Sequence, residues 1–85
     1  MYRLILKKSA DKTLRKLPRN DARRIQAKLI QLAENPYAPN NNITKLQNRD
    51  SYRLRVGNWR VIYEINNEQV IIYVVKIGPR GQVYQ

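Results

Sequence analysis

Apolar residues recur at helical spacing in the first half of this chain and at the strand spacing of two in the second half. Tyr2 to Leu6 is a short apolar-rich run followed by Lys7-Lys8, which predicts a first strand whose partner lies later in the sequence. Ser9 is placed to cap a helix in which Ala10, Leu14 and Leu17 share one face, with Lys12, Arg15 and Lys16 between them, and Pro18 closes it. From about Asn20 to Glu34, Ala22, Ile25, Leu29, Leu32 and Ala33 form a second apolar stripe, ended by Asn35-Pro36. The two stripes predict an αα-hairpin packed on a sheet. Residues 35–44 hold two prolines and four asparagines and read as a loop.

Period-two alternation then predicts three strands, Tyr52 to Val56, Trp59 to Asn66 and Gln69 to Ile77. Gly57-Asn58 is a hairpin loop between the first two, and a turn near Asn66-Asn67-Glu68 joins the last two, with its register left open. Val70 to Val75 is apolar on both faces and predicts a central strand, which Gly78-Pro79 stops. The expected fold is therefore α+β: an N-terminal strand, a two-helix hairpin and a three-stranded antiparallel meander, with the helices on one face. Residues 1–85 make a single domain.

On this meander Leu54, Val61, Tyr63 and Ile65 point to the helices, which leaves Arg53, Arg55 and Arg60 together on the solvent face. A two-residue loop at Gly57-Asn58 sets Val56 against Trp59, Arg55 against Arg60, and Arg53 against Ile62. Like charges directly opposite each other destabilise a sheet by roughly 0.2 to 1 kcal/mol, so the arrangement points to an anionic ligand. Arg80 follows on a bend formed by Gly78, Pro79 and Gly81, and Tyr84 lies on a short tail. Guanidinium groups bind phosphate oxygens through paired donors, and a tyrosine beside them stacks on an exposed base. Trp59, Tyr63 and Tyr73 read as core or rim aromatics, and the basic residues of the helices as solvated faces.

Composition strengthens this picture. Seventeen Lys and Arg against six Asp and Glu give a formal charge of +11, which concentrates polyanions around the molecule and makes nucleic acid the first candidate ligand. The absence of Cys and His removes thiol nucleophiles, disulfides and the usual neutral-pH proton shuttle. Asp50, Glu64 and Glu68 are too scattered for a two-metal site, so neither a metal nor a small-molecule cofactor is expected. The N-terminal apolar run is too short for a signal peptide, and no stretch approaches the roughly 20 apolar residues of a membrane span, so a cytoplasmic location without membrane association is expected.

The basic first strand and two helices, Lys45-Leu46 ahead of Tyr52 to Arg55, the run Gly57 to Tyr63, and Ile77 to Arg80 followed by Val83-Tyr84 together resemble the RelE/ParE superfamily of toxins, and within it the RelE-like mRNA endonucleases. The resemblance covers nearly the whole chain. It implies a toxin that enters the ribosomal A site of the 70S ribosome, cuts mRNA there and inhibits translation, and is neutralised by an acidic, RelB-like antitoxin. It implies 2'-hydroxyl attack without metal. Carried over residue by residue, Arg53 and Arg55 contact RNA and assist proton removal, Arg60 stabilises the transition-state phosphate, Arg80 serves the leaving 5'-oxygen, and Tyr84 orients the cut nucleotide. Lys45 and Lys76 add RNA contacts. The strand pair is often lysine in these enzymes, and arginine effectively never loses a proton, so the general base stays unassigned.

Two other readings stand beside this one. A ParE-like chain shares the fold and inhibits DNA gyrase without catalysis, and an inactive module only grips RNA or its antitoxin.

Overall fold

The computed structural model describes residues 1–47 and 50–79. Its order is β1 (Arg3–Leu6), α1 (Lys8–Lys16), α2 (Arg19–Glu34), β2 (Ile43–Lys45), β3 (Ser51–Val56), β4 (Trp59–Asn66) and β5 (Ile71–Pro79). The strands form one sheet in the order β1-β5-β4-β3-β2, with β1 parallel to β5 and every other pair antiparallel. β1 therefore finds its late partner, and β5 is central between β1 and β4, as its two apolar faces require.

The helices cover one face. Ala10 and Leu14 of α1 and Ile25, Leu29 and Leu32 of α2 pack in a single core with Leu54, Val56, Val61, Tyr63, Ile65, Ile72, Val74 and Ile77 of the sheet. Burying a side chain of the Leu or Ile class is worth about 1.5–3 kcal/mol, so this one layer supplies most of the drive to fold. Helix α1 starts one residue before the expected cap: Ser9 lies inside it and its carbonyl accepts from Thr13 Oγ1. The start is set by the sheet instead. Lys7 N–H still donates to Val74 O while Lys7 O already accepts from Asp11 N–H, so the chain turns directly from ladder to helix. Pro18, with its φ of −51° and extended ψ, then serves as the N-cap of α2, one residue earlier than expected.

Three features of the sheet differ from the sequence reading. Ile43 and Thr44, assigned to the loop, begin a short edge strand with Ile43 opposite Leu54, Thr44 opposite Arg53 and Lys45 opposite Tyr52. The asparagines mark the bend before it, where Asn42 N–H donates to Asn40 Oδ1 and Ile43 N–H to Asn40 O. Next, the β4–β5 connection is a four-residue loop, residues 67–70, closed by Asn66 opposite Ile71, with Val70 at a left-handed φ of 57°. Finally, β5 continues through Gly78 and Pro79, which lie opposite Arg60 and Trp59. β1 pairs with β5 only as far as Val74, so Pro79 sits on a sheet edge where its missing donor is tolerated.

The β4–β5 ladder also carries a bulge. Ile62 lies opposite Lys76 and Tyr63 opposite Val74, which leaves Val75 as the extra residue. Strict alternation from Val74 would send residue 76 into the core. The bulge instead buries Ile77 and turns Lys76 outward.

Candidate nucleic-acid interface

The β3–β4 hairpin has the register its sequence predicts, with Val56 opposite Trp59, Arg55 opposite Arg60 and Arg53 opposite Ile62. Gly57 takes a φ of +59° and Asn58 does not, the sign pattern of a turn with glycine at its first central position. The guanidinium of Arg24, from α2, lies against this turn, since a Cβ built on Gly57 would stand 3.2 Å from its Nη1.

Two rows of side chains cross the open face of the sheet at this end. One runs Thr44, Arg53, Ile62, Lys76; in the other Arg55 and Arg60 are followed by Gly78, with Asn42 beyond Arg55 at the β2 side. Arg53, Arg55, Arg60 and Lys76 are thereby brought together by three strands. Each arginine also has a neutral acceptor. Arg53 Nη2 donates to Thr44 Oγ1 and Arg55 Nη2 to Asn42 Oδ1, both at 3.3 Å. Arg60 Nη1 donates to Trp59 O at 3.1 Å and to Gly57 O at 3.4 Å.

Exposure separates the three. Arg55 is exposed and Arg53 half-buried, but Arg60 is only 7% exposed, which corrects the expectation that all three face solvent. Its Nη1 turns back onto the carbonyls of the hairpin tip, which accept from it. Lys45 also departs from expectation. It shares a face with its partner Tyr52 and with Ile43 and Leu54 of the core side, so it does not join the arginines; Thr44 holds that place. Arg80 and Tyr84 lie outside the described residues.

Sequence reasoning missed Asn42 and Thr44. The alternation Asn42, Ile43, Thr44, Lys45 was the available signal, masked by the asparagines and prolines before it.

Tyr52 and Tyr63 lie on the core face of the sheet, opposite the arginines. Tyr63 is buried and stacks on Tyr52 with ring centroids 5.4 Å apart and planes 14° apart. Burial, and then the neighbouring Tyr52 and Tyr37 hydroxyls, push the Tyr63 phenol far above the ordinary tyrosine range. Its hydroxyl is buried without a hydrogen-bond partner among the described residues. At the far end of the open face, a cleft of about 740 Å³ is lined by Ile5, Tyr73, Asp50, Glu64 and Glu68 among others. It gathers three of the six acidic residues of the chain, although no three carboxylates among the described residues converge enough to hold a metal ion. No described helix is long and apolar enough to cross a membrane.

The arginine face can therefore bind phosphate through preset guanidinium donors and stabilise charge that grows on it. The three arginines themselves supply no proton acceptor, because arginine stays protonated in proteins.

Known proteins share this architecture. The family model described as ParE toxin of type II toxin-antitoxin system, parDE, matches residues 4–84. A putative RelE-like toxin protein of Escherichia coli is 28% identical over 79 residues, covering 93% of this chain and 83% of the relative. The mRNA interferase toxin RelE of E. coli K12 is 27% identical over 85 residues, with 98% and 90% covered. Among solved structures, the archaeal RelE–RelB complex from Pyrococcus horikoshii OT3 contains a chain that superposes with a TM-score of 0.85 at 33% identity, over 95% of this chain and 97% of that one. The isolated E. coli RelE toxin gives 0.81 at 28% identity, over 99% and 92%.

Proposed function

This chain belongs to the ParE toxin family of type II toxin-antitoxin systems, within the RelE/ParE superfamily, and from that footing we propose that it is a ribosome-dependent mRNA endonuclease. The observation that carries the reading is the convergence of Arg53, Arg55, Arg60 and Lys76 on the open sheet face. It is supported by the relatives named mRNA interferase.

In the proposed reaction the 2'-oxygen of one nucleotide attacks the adjacent phosphorus while the P–O5' bond breaks, giving a 2',3'-cyclic phosphate and a 5'-hydroxyl. Arg53, Arg55 and Lys76 grip the RNA backbone. Arg60, tied to the hairpin tip, donates to the phosphate oxygens, whose negative charge grows as the fifth bond forms. Arg80 assists the departing 5'-oxygen, which takes up a proton, and Tyr84 stacks on the nucleotide. The 2'-hydroxyl proton passes to a base of the ribosome or to solvent. Rate enhancement then comes mainly from holding the attacking oxygen in line with the leaving group.

The ribosome places this activity in the cytoplasm. The partner is an acidic, RelB-like antitoxin, a reading supported by relatives crystallised as RelE–RelB complexes. Mapping 5' ends of mRNA after induction tests the proposal: new ends within translated codons are expected, and they disappear in the Arg60→Ala/Arg80→Ala double variant. Undiminished growth arrest by that variant would overturn it.

The ParE name of the matching family model favours one second reading, a non-catalytic inhibitor of DNA gyrase. The order of events on induction separates the two, since translation fails first under one and DNA supercoiling under the other.

A further inference from the structure

Resting on the reading of the arginine face as an RNA-cleaving site, we propose that Asn42 is a positioning residue that presents the Arg55 guanidinium to the RNA through a neutral amide oxygen. Asn42 meets Arg55 twice. Its carbonyl accepts the Arg55 backbone N–H at 2.8 Å, and its Oδ1 accepts from Arg55 Nη2 at 3.3 Å. The residue that holds the side chain is thus fixed to the backbone of the same arginine.

Asn42 is itself held. Its N–H donates to Asn40 Oδ1 at 2.8 Å, and the next N–H, of Ile43, donates to Asn40 O at 3.1 Å. The asparagine-rich bend is the support for this contact. Arg55 needs it because Arg60 stands directly opposite, and a long cationic side chain beside another cation otherwise spreads over many rotamers. A side chain locked by a second residue delivers its donors with less loss of freedom when the ligand arrives.

The acceptor's chemistry matters as much as its position. A carboxylate at residue 42 would hold Arg55 at least as firmly and would cancel its charge; the amide holds it and leaves the charge for phosphate. Thr44 repeats the device two residues further on, in β2, with a neutral hydroxyl accepting from Arg53.

The test compares Asn42→Ala, Asn42→Asp, Arg55→Ala and the Asn42→Ala/Arg55→Ala double variant of the whole chain. Single-turnover cleavage of ribosome-bound mRNA and the salt dependence of binding to a single-stranded RNA are measured. Asn42→Ala should slow cleavage about tenfold without changing the salt slope, since Arg55 keeps its charge. Asn42→Asp should lower the slope of log affinity against log salt by about 0.7, the value of one phosphate contact on a single strand. The double variant should cleave at the rate of Arg55→Ala, because Asn42 acts through Arg55. A purely structural role lowers thermal stability, leaves both salt slopes alone and adds to Arg55→Ala; that result would overturn the inference, as would wild-type rates in both Asn42 variants. A wild-type chain that leaves mRNA intact overturns the functional reading as well.

Discussion

Arg55 and Arg60 stand directly opposite each other across the β3–β4 hairpin, yet their guanidiniums are held by different groups, Arg55 by Asn42 and Arg60 by the carbonyls of Gly57 and Trp59. The like-charge pair is a standing destabilisation that the site retains. Replacing Arg55 with Ala should therefore raise stability by about 0.2–1 kcal/mol, a rise of several degrees in melting temperature for a domain of this size, while growth arrest weakens. Thermal denaturation and a growth assay on the same variant check both halves, and a fall in melting temperature would contradict the first.

Gly57→Ala tests the turn that aligns these arginines. A residue with a Cβ at φ +59° pays about 1–2 kcal/mol, and the Cβ would press on Arg24 Nη1 at 3.2 Å. Denaturant titration should show that loss, with Arg24→Ala in the same background relieving only the contact.

Tyr63→Phe should stabilise the protein. The hydroxyl is buried without a partner among the described residues, and its removal relieves a desolvation penalty of about 1–3 kcal/mol while keeping the stack on Tyr52. The pH dependence has a definite sign. With its folded pKa raised above the ordinary value near 10, Tyr63 keeps its proton in the folded state and loses it on unfolding, so its contribution is constant below pH 10 and falls above it by up to about 1.4 kcal/mol per unit. The difference in unfolding free energy between wild type and Tyr63→Phe should grow above pH 10, and parallel curves would refute the assignment.

Lys76 and Lys45 should separate in RNA binding. Lys76 is turned onto the arginine face by the bulge at Val75, and Lys45 lies on the other face of the sheet. Lys76→Ala should weaken binding to a single-stranded RNA and reduce its salt slope by about 0.7, whereas Lys45→Ala should leave the slope unchanged. Fluorescence anisotropy across a salt series decides it.

The hairpin and its arginines were legible because Gly57-Asn58 fixes a register and period two does the rest. The helix stripes were legible for the same reason of simple periodicity: Ile25, Leu29 and Leu32 are all buried. What escaped depends on contacts between distant segments. β2 is a strand because β3 offers it an edge, and its local composition says loop. The bulge is set by packing of Ile72, Val74 and Ile77 against the helices, and no local signal marks Val75. Buried Arg60 donates to carbonyls of the tip, a matter of backbone direction that residue identity does not encode.

The acid-lined cleft has a consequence at distances where nothing yet touches. Glu64 follows Arg60 by four residues along β4, about 13 Å at the rise of a strand, so negative and positive ends are separated along the sheet of a strongly cationic molecule. Such a molecule carries a dipole as well as a net charge. In the field of a polyanion the acid-lined end of the sheet is the less attracted of the two, which favours approach by the arginine end. Neutralising Asp50, Glu64 and Glu68 would thus increase attraction and randomise arrival, making encounters more frequent and a smaller share of them correctly oriented.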